Sequence, residues 1–197
     1  MTAAKTLLQL AGADLNPPRL ADACLVMIDL QNEYVSGPLA LPDVKAAAES
    51  AAQLLARARK EGAVIFHIAH RGKAGGMFDR DGDRGAIISS VAPQGSEAVI
   101  EKALPNAFSG TDLQAQLAAT GRKELVLAGF MTHMCISSTA RAALDLGFRT
   151  TIDADSCATR DLPDGRGGTI AARTIHDIAL AELSDRFAII ARSDALS

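Results

Sequence analysis

The chain has 197 residues, 48% of them hydrophobic, enough to close a full core, and it reads as one domain spanning 1–197. Its 20 Lys and Arg against 23 Asp and Glu leave a formal charge of −3, with 4% aromatic residues and no Trp. These values predict neither a nucleic-acid footprint nor a stacking platform for single strands. Cys24, Cys135 and Cys157 form no close pair, no basic-then-apolar leader follows Met1, and no apolar run could span a bilayer. The expectation is a cytoplasmic protein with no membrane partner.

Residues 1–10 are predicted as a short helix and Asn16-Pro17-Pro18 as an extended connection. Ala23–Leu30 (ACLVMIDL) is nearly all apolar and reads as a central parallel strand buried on both faces. Asp29 ends it. A carboxylate there faces the crevice where open α/β sheets bind ligands, although a simple loop cap would look the same. Pro42-Asp43 opens a helix to about Glu61, with Gly62 as its stop. Ala63–Ala69 is the second strand. His67 lies within it and His70 just past it, on opposite faces, so they make no ready metal pair. His67 reads as a satisfied core histidine and His70 as a candidate pocket residue.

Arg71–Gly95 is a long loop rich in Gly and Asp. Asp79-Arg80-Asp81-Gly82-Asp83 looks like a calcium loop, but Arg84 stands where the turn glycine belongs and Ser90 where the bidentate glutamate belongs. The segment reads instead as a solvated loop, a candidate pocket wall or subunit contact. Ala98–Glu101 is a short third strand, and Lys102 after it reads locally as a solvated lysine. Pro105–Gly110 is a turn, and Thr111 caps a helix that ends at Gly121.

Glu124–Ala128 is the fourth strand, broken by Gly129. From Cys135 the period changes: Ile136, Thr139, Ala140, Ala143 and Leu144 recur at helical spacing, and Gly147 closes the helix. Cys135 is therefore expected where a strand turns sharply into a helix, its sulfur at the helix N-terminus. Free N–H groups and the helix dipole there stabilise a thiolate and can hold an oxyanion. A small buried cysteine is the plainer alternative. The polar cluster Thr132, His133, Ser137, Ser138 and Thr139 favours chemistry. Phe148–Asp153 is the fifth strand, Asp161–Gly168 a Pro- and Gly-rich loop, Thr169–Leu183 a helix and Phe187–Ile190 the sixth strand. This alternation predicts an α/β fold: a doubly wound three-layer αβα sandwich with a six-stranded, mostly parallel sheet.

Three motifs, in chain order, carry a family resemblance. Asp29 is followed by Gln31-Asn32; Lys102 is followed by Ala107-Phe108 and Gly110-Thr111; and Gly129-Phe130-Met131-Thr132-His133-Met134-Cys135 is followed by Thr139, Arg141 and Gly147. Together they resemble the isochorismatase-like cysteine hydrolase superfamily, the last reproducing its G-x-x-T-x-x-C-x-x-x-T-x-R-x-A pattern at every fixed position. The resemblance implies a catalytic triad of Asp29, Lys102 and Cys135. Cys135 would be the nucleophile, Asp29 would accept its proton and pass it to a departing amine, and Lys102 would hold the carboxylate ionised. It further implies a cis peptide at Phe130–Met131 and an oxyanion hole from the Met131 and Cys135 N–H groups.

Substrate-binding candidates are Asn32, as a polar partner of Asp29 or of a water, Tyr34, Phe108 and Met131 as apolar walls, and His70 and His133. Core packing explains the apolar ones as easily. Nicotinamidases of this superfamily resemble one another in an Asp-x-His plus His metal site. Here only His70 is present, followed by Arg71-Gly72-Lys73, so no metal or other cofactor is expected. Glu33 replaces the commoner Asp after Gln-Asn. The intact thiol points to acyl transfer, most simply hydrolysis of an amide or related C–N bond of a small molecule. The alternatives are an isochorismatase-type vinyl-ether hydrolase, whose chemistry does not need the thiol, and a noncatalytic binding member. A homo-oligomer is expected, since members of the superfamily are often oligomers.

Overall fold

The computed structural model describes residues 3–197. Its strands are β1 (Ala23–Ile28), β2 (Val64–His70), β3 (Ala98–Lys102), β4 (Glu124–Phe130), β5 (Arg149–Ala158), the two-residue β6 (Leu162–Pro163) and β7 (Thr169–Ile170), and β8 (Ile189–Ala191). Six of them form one sheet in the order β3-β2-β1-β4-β5-β8, every neighbouring pair parallel, while β6 and β7 make a separate antiparallel hairpin. The helices are α1 (Leu7–Leu10), α2 (Glu33–Ser36), α3 (Val44–Glu61), α4 (Leu113–Ala119), α5 (Ser137–Asp145) and α6 (Ala172–Arg186).

β1 is buried at all six positions because helices cover both faces of the sheet, which is why its sequence is continuously apolar rather than alternating. Successive residues divide between two cores. Leu25 and Met27 join Leu54 and Leu55 of α3, whereas Cys24, Val26 and Ile28 join Leu117 of α4 and Ala140 of α5. The expected three-layer sandwich is the fold. Among the described residues no helix is long and apolar enough to cross a membrane.

Several boundaries differ from the sequence reading, each for a local reason. The first helix is a single turn fixed by a capping box at Thr6; Met1 and Thr2 lie outside the described residues. β1 stops at Ile28 because Asp29 takes a left-handed backbone, φ 52°. Gly129 does not break β4. It stays paired with Ile28 at φ 128°, and a Cβ there would lie 1.9 Å from the Ile28 carbonyl oxygen. Glycine is what lets β1 and β4 close together at this level. Asp112 holds the cap position of α4 without a side-chain bond, while the Thr111 hydroxyl accepts from the Leu113 N–H at 3.4 Å and donates back to the Ala107 carbonyl at 2.6 Å. α6 starts at Ala172 because Thr169–Ile170 is taken by the small hairpin.

Strands β1 to β3 run to one side of the sheet, and β4, β5 and β8 to the other. The border between β1 and β4 is therefore the switch point, where connections at the strands' carboxyl ends diverge and leave a crevice.

Candidate active site

Asp29, Lys102 and Cys135 meet at that switch point. Asp29 follows β1, its N–H donating to the Ile68 carbonyl at 2.9 Å. A left-handed backbone is uncommon for a residue with a side chain, and such residues concentrate at functional sites. Lys102 is the last residue of β3, two strands away from β1. At roughly 4.8 Å per strand that gap is near 10 Å, which suits the longest flexible cation. Its Nζ donates to Asp29 Oδ2 at 2.6 Å and lies 3.4 Å from Cys135 Sγ. The three residues are 0%, 2% and 4% exposed. The solvated Lys102 of the local sequence reading is thus overturned: it is the buried counter-ion of Asp29.

Cys135 sits in a single π-turn, Thr132–Ile136, between β4 and α5. The Ile136 N–H bonds back to the Met131 carbonyl at 3.3 Å. The Phe130–Met131 peptide is cis, as the resemblance implied.

The thiolate stabilisation expected of a helix N-terminus is outweighed here. Burial, and then the Asp29 carboxylate, push the Cys135 thiol up to about 12, against the pull of Lys102. For Asp29, burial raises the pKa and outweighs the lowering by Lys102. The carboxyl and the thiol each bear on the other's ionisation, and the buried Asp29 Oδ1 has no hydrogen-bond partner. Burial thus disfavours charge on both the acid and the sulfur, with Lys102 Nζ within reach of each.

The other candidates divide. Tyr34 is buried and feels the charges of Asp29 and Cys135; its ring meets Phe78 at 5.1 Å and Phe130 at 5.6 Å, both edge-on. His70 packs on Phe78 at 5.0 Å, its imidazole held neutral first by burial and then by Lys102. The Asn32 side chain goes to the Asp83 carbonyl at 3.0 Å rather than to Asp29. Phe108 stacks on Phe148, the residue before β5, so its ring belongs to core packing. His133 is half-buried, its Nδ1 hydrogen-bonded to the Thr159 hydroxyl. Met131 is buried within the core on the α3 side. His67 is the satisfied core histidine expected, 2.9 Å from Glu97.

The 71–95 segment is a structured wall. Gln31 Nε2 donates to the His70 and Gly85 carbonyls, and the buried Glu33 accepts from the Phe78 N–H at 3.2 Å. Phe78 is buried against Tyr34 as a result.

Two residues near the site were not singled out from sequence. Arg160, just past β5, is felt by both Tyr34 and His133. Its Nε is buried without a partner, and among the described residues it pairs with no carboxylate. No local pattern marks such a residue. His176 of α6 is 2.9 Å from the Thr132 hydroxyl. It shares the helix's buried face with Ala172, Ala179, Leu180 and Leu183, and a histidine at that period was the available signal. Among the described residues no three metal-ligating side chains gather.

An acid, an ammonium and a thiol at the switch point of a parallel six-stranded sheet define a class of α/β sandwich. Residues 23–195 match the model of the isochorismatase domain, and the chain belongs to the isochorismatase family of hydrolases. It is similar to the crystal structure of an isochorismatase from Pseudomonas putida KT2440, at 42% identity and a TM-score of 0.95, with 99% of this chain and 100% of that one covered. The uncharacterized isochorismatase family protein YddQ of Bacillus subtilis is 37% identical over 174 residues, 87% of this chain and 96% of its own. A maleamate amidohydrolase of Pseudomonas putida is 37% identical over 145 residues, 65% of this chain and 68% of its own.

Proposed function

We propose that the protein is a cysteine hydrolase that cleaves an amide or related C–N bond of a small molecule through a Cys135 acyl-enzyme. The observation that carries this reading is the Lys102 ammonium within reach of both Asp29 and Cys135 in one buried hollow. Passing the thiol proton to Asp29 turns a carboxylate and thiol into a carboxylic acid and thiolate. The trio's net charge is the same before and after, so the step creates no new charge in a low-dielectric site. The thiolate then attacks the carbonyl carbon, and the Met131 and Cys135 N–H groups hold the oxyanion. Asp29 returns the proton to the leaving nitrogen, an amine or ammonia departs, and a thioester remains. Water adds to the thioester, gives its proton to Asp29, and the released sulfur recovers it.

Arg160 extends the reading to the substrate. A partly buried guanidinium without a carboxylate partner, whose charge reaches Tyr34 and His133, suits a substrate that carries its own carboxylate. The similarity to a maleamate amidohydrolase supports an amide of that kind. The similarity to an isochorismatase structure supports the second reading, a vinyl ether. The test is a panel of neutral amides, carboxylate-bearing amides and vinyl ethers, followed by ammonia release and by ether loss. The expected result is ammonia from carboxylate-bearing amides, abolished in Cys135→Ala, with KM raised at least 10-fold by Arg160→Met only for anionic substrates. Ether cleavage alone, or full turnover by Cys135→Ala, would overturn it.

A further inference from the structure

The turn that carries the sulfur is secured by a histidine outside the reacting trio. A π-turn is a rare and geometrically poor element that seldom persists without support. Among the described residues three side-chain hydrogen bonds reach residues of this one: Lys102 to Cys135, Thr159 to His133, and His176 to Thr132. The first joins reacting groups and must change as the sulfur attacks, so it cannot be what holds the turn. The second anchors the turn to the end of β5. The third anchors it to α6, a 15-residue helix packed against the turn and therefore a stiff support.

We propose that His176 is a positioning residue: its bond to Thr132 sets where the Cys135 sulfur sits relative to Asp29 and Lys102. The inference rests on reading Cys135 as the nucleophile. Thr132 is fully buried and stands three residues before Cys135 in a turn whose only slack is its own backbone. Any shift at Thr132 is passed to the sulfur. His176 occupies a position on the buried face of α6 where its neighbours are Ala and Leu. An apolar residue there would pack without a polar group to satisfy, and would leave the buried Thr132 hydroxyl without this partner. His176 also lines a polar cavity of about 400 Å³ with Asp43, Asp155 and Arg173, none of which belongs to the trio. The contact of His176 with the turn is its bond to Thr132.

The experiment compares His176→Ala, His176→Asn, Thr132→Val and the double variant His176→Ala/Thr132→Val. Three quantities are read on each: kcat and KM for a hydrolysed amide, the rate of Cys135 alkylation by iodoacetamide at pH 9, and Tm. The expected result for His176→Ala and for Thr132→Val is a fall of about 10-fold in kcat and in alkylation rate, with KM within twofold. The double variant should fall no further than either single one, because both remove the same bond. His176→Asn should recover to within about threefold of the native protein, since its amide places a donor and an acceptor near the position of Nδ1. The Asn and Val variants keep the test open if His176→Ala fails to fold. Native rates of alkylation and turnover in both His176→Ala and Thr132→Val would overturn the proposal. So would an equal loss in His176→Asn that tracks a lowered Tm, which would mark a packing role. If no amide is hydrolysed by the native protein, the hydrolase reading fails, while the alkylation rates still decide the role of His176.

Discussion

Two ion pairs on the same sheet behave in opposite ways. Glu97, before β3, is held by Arg59 at 2.7 and 2.8 Å, also accepts from the Gln94 N–H, and bonds His67. Water still reaches the pair, and the Arg59 guanidinium brings Glu97 down to about 2. Asp29 has a similar partner at 2.6 Å, yet its pKa moves up because burial outweighs the ammonium. Solvent decides the sign. A half-wetted carboxylate with several donors is locked in its ionised form and can only support structure. A dry one with a single cation stays close to a proton, and that is the property a general base needs.

Substitution should break this contrast most visibly in activity. Asp29→Asn is expected to lower kcat by about 10³-fold or more, the range for losing a general acid–base, while Glu97→Gln leaves kcat unchanged. Amide-hydrolysis kinetics on both proteins check this, and equal effects would dissolve the distinction.

Stability should show the next largest difference. Lys102→Met strands a buried carboxylate and should cost about 3–5 kcal/mol, whereas Arg59→Met should cost about 1–2 kcal/mol. Urea midpoints at constant slope read both.

The pH response should separate the pairs in sign. Between pH 4.5 and about 2 the unfolded chain binds a proton at Glu97 that the folded chain does not. That pair's contribution is present above pH 4.5 and lost as the pH falls toward 2. For Asp29 the folded state binds the proton first, so its contribution to stability rises as pH falls toward its ordinary 3.8. Glu97→Gln should therefore make the acid loss shallower, and Asp29→Asn should leave it steeper. Thermal melts from pH 7 to pH 2.5 would show it.

The smallest effect concerns the third buried thiol. Cys157 is pushed up by burial and then by Asp153, with no ammonium beside it. Cys157→Ala should change kcat less than twofold, set only by packing.

These differences also explain what could be read without coordinates. β1 and the helix after Cys135 were legible because a strand buried on both faces and a helix with one buried face each impose a period on the chain. Lys102 was not, because a solvated and a buried lysine look alike until another strand supplies the acid; only the family motif placed it. Gly129 looked like a breaker because glycine is one elsewhere, but its reason lies across the sheet at Ile28. Phe108 was drawn into the pocket by its place in a motif, although its ring is used against Phe148. Arg160 carries no periodic or local mark at all. His176 of α6 went unmarked because its partner Thr132 lies 44 residues earlier.

The central claim is that sulfur and carboxylate exchange one proton so that the sulfur can bond carbon. Acid-quenched intact and peptide mass spectrometry, taken during turnover of a hydrolysed amide, tests it most directly. The account predicts an added acyl mass on the Cys135 peptide, removable by hydroxylamine and missing in Asp29→Asn. Steady turnover with every cysteine unmodified, matched by undiminished activity in Cys135→Ala, would contradict it.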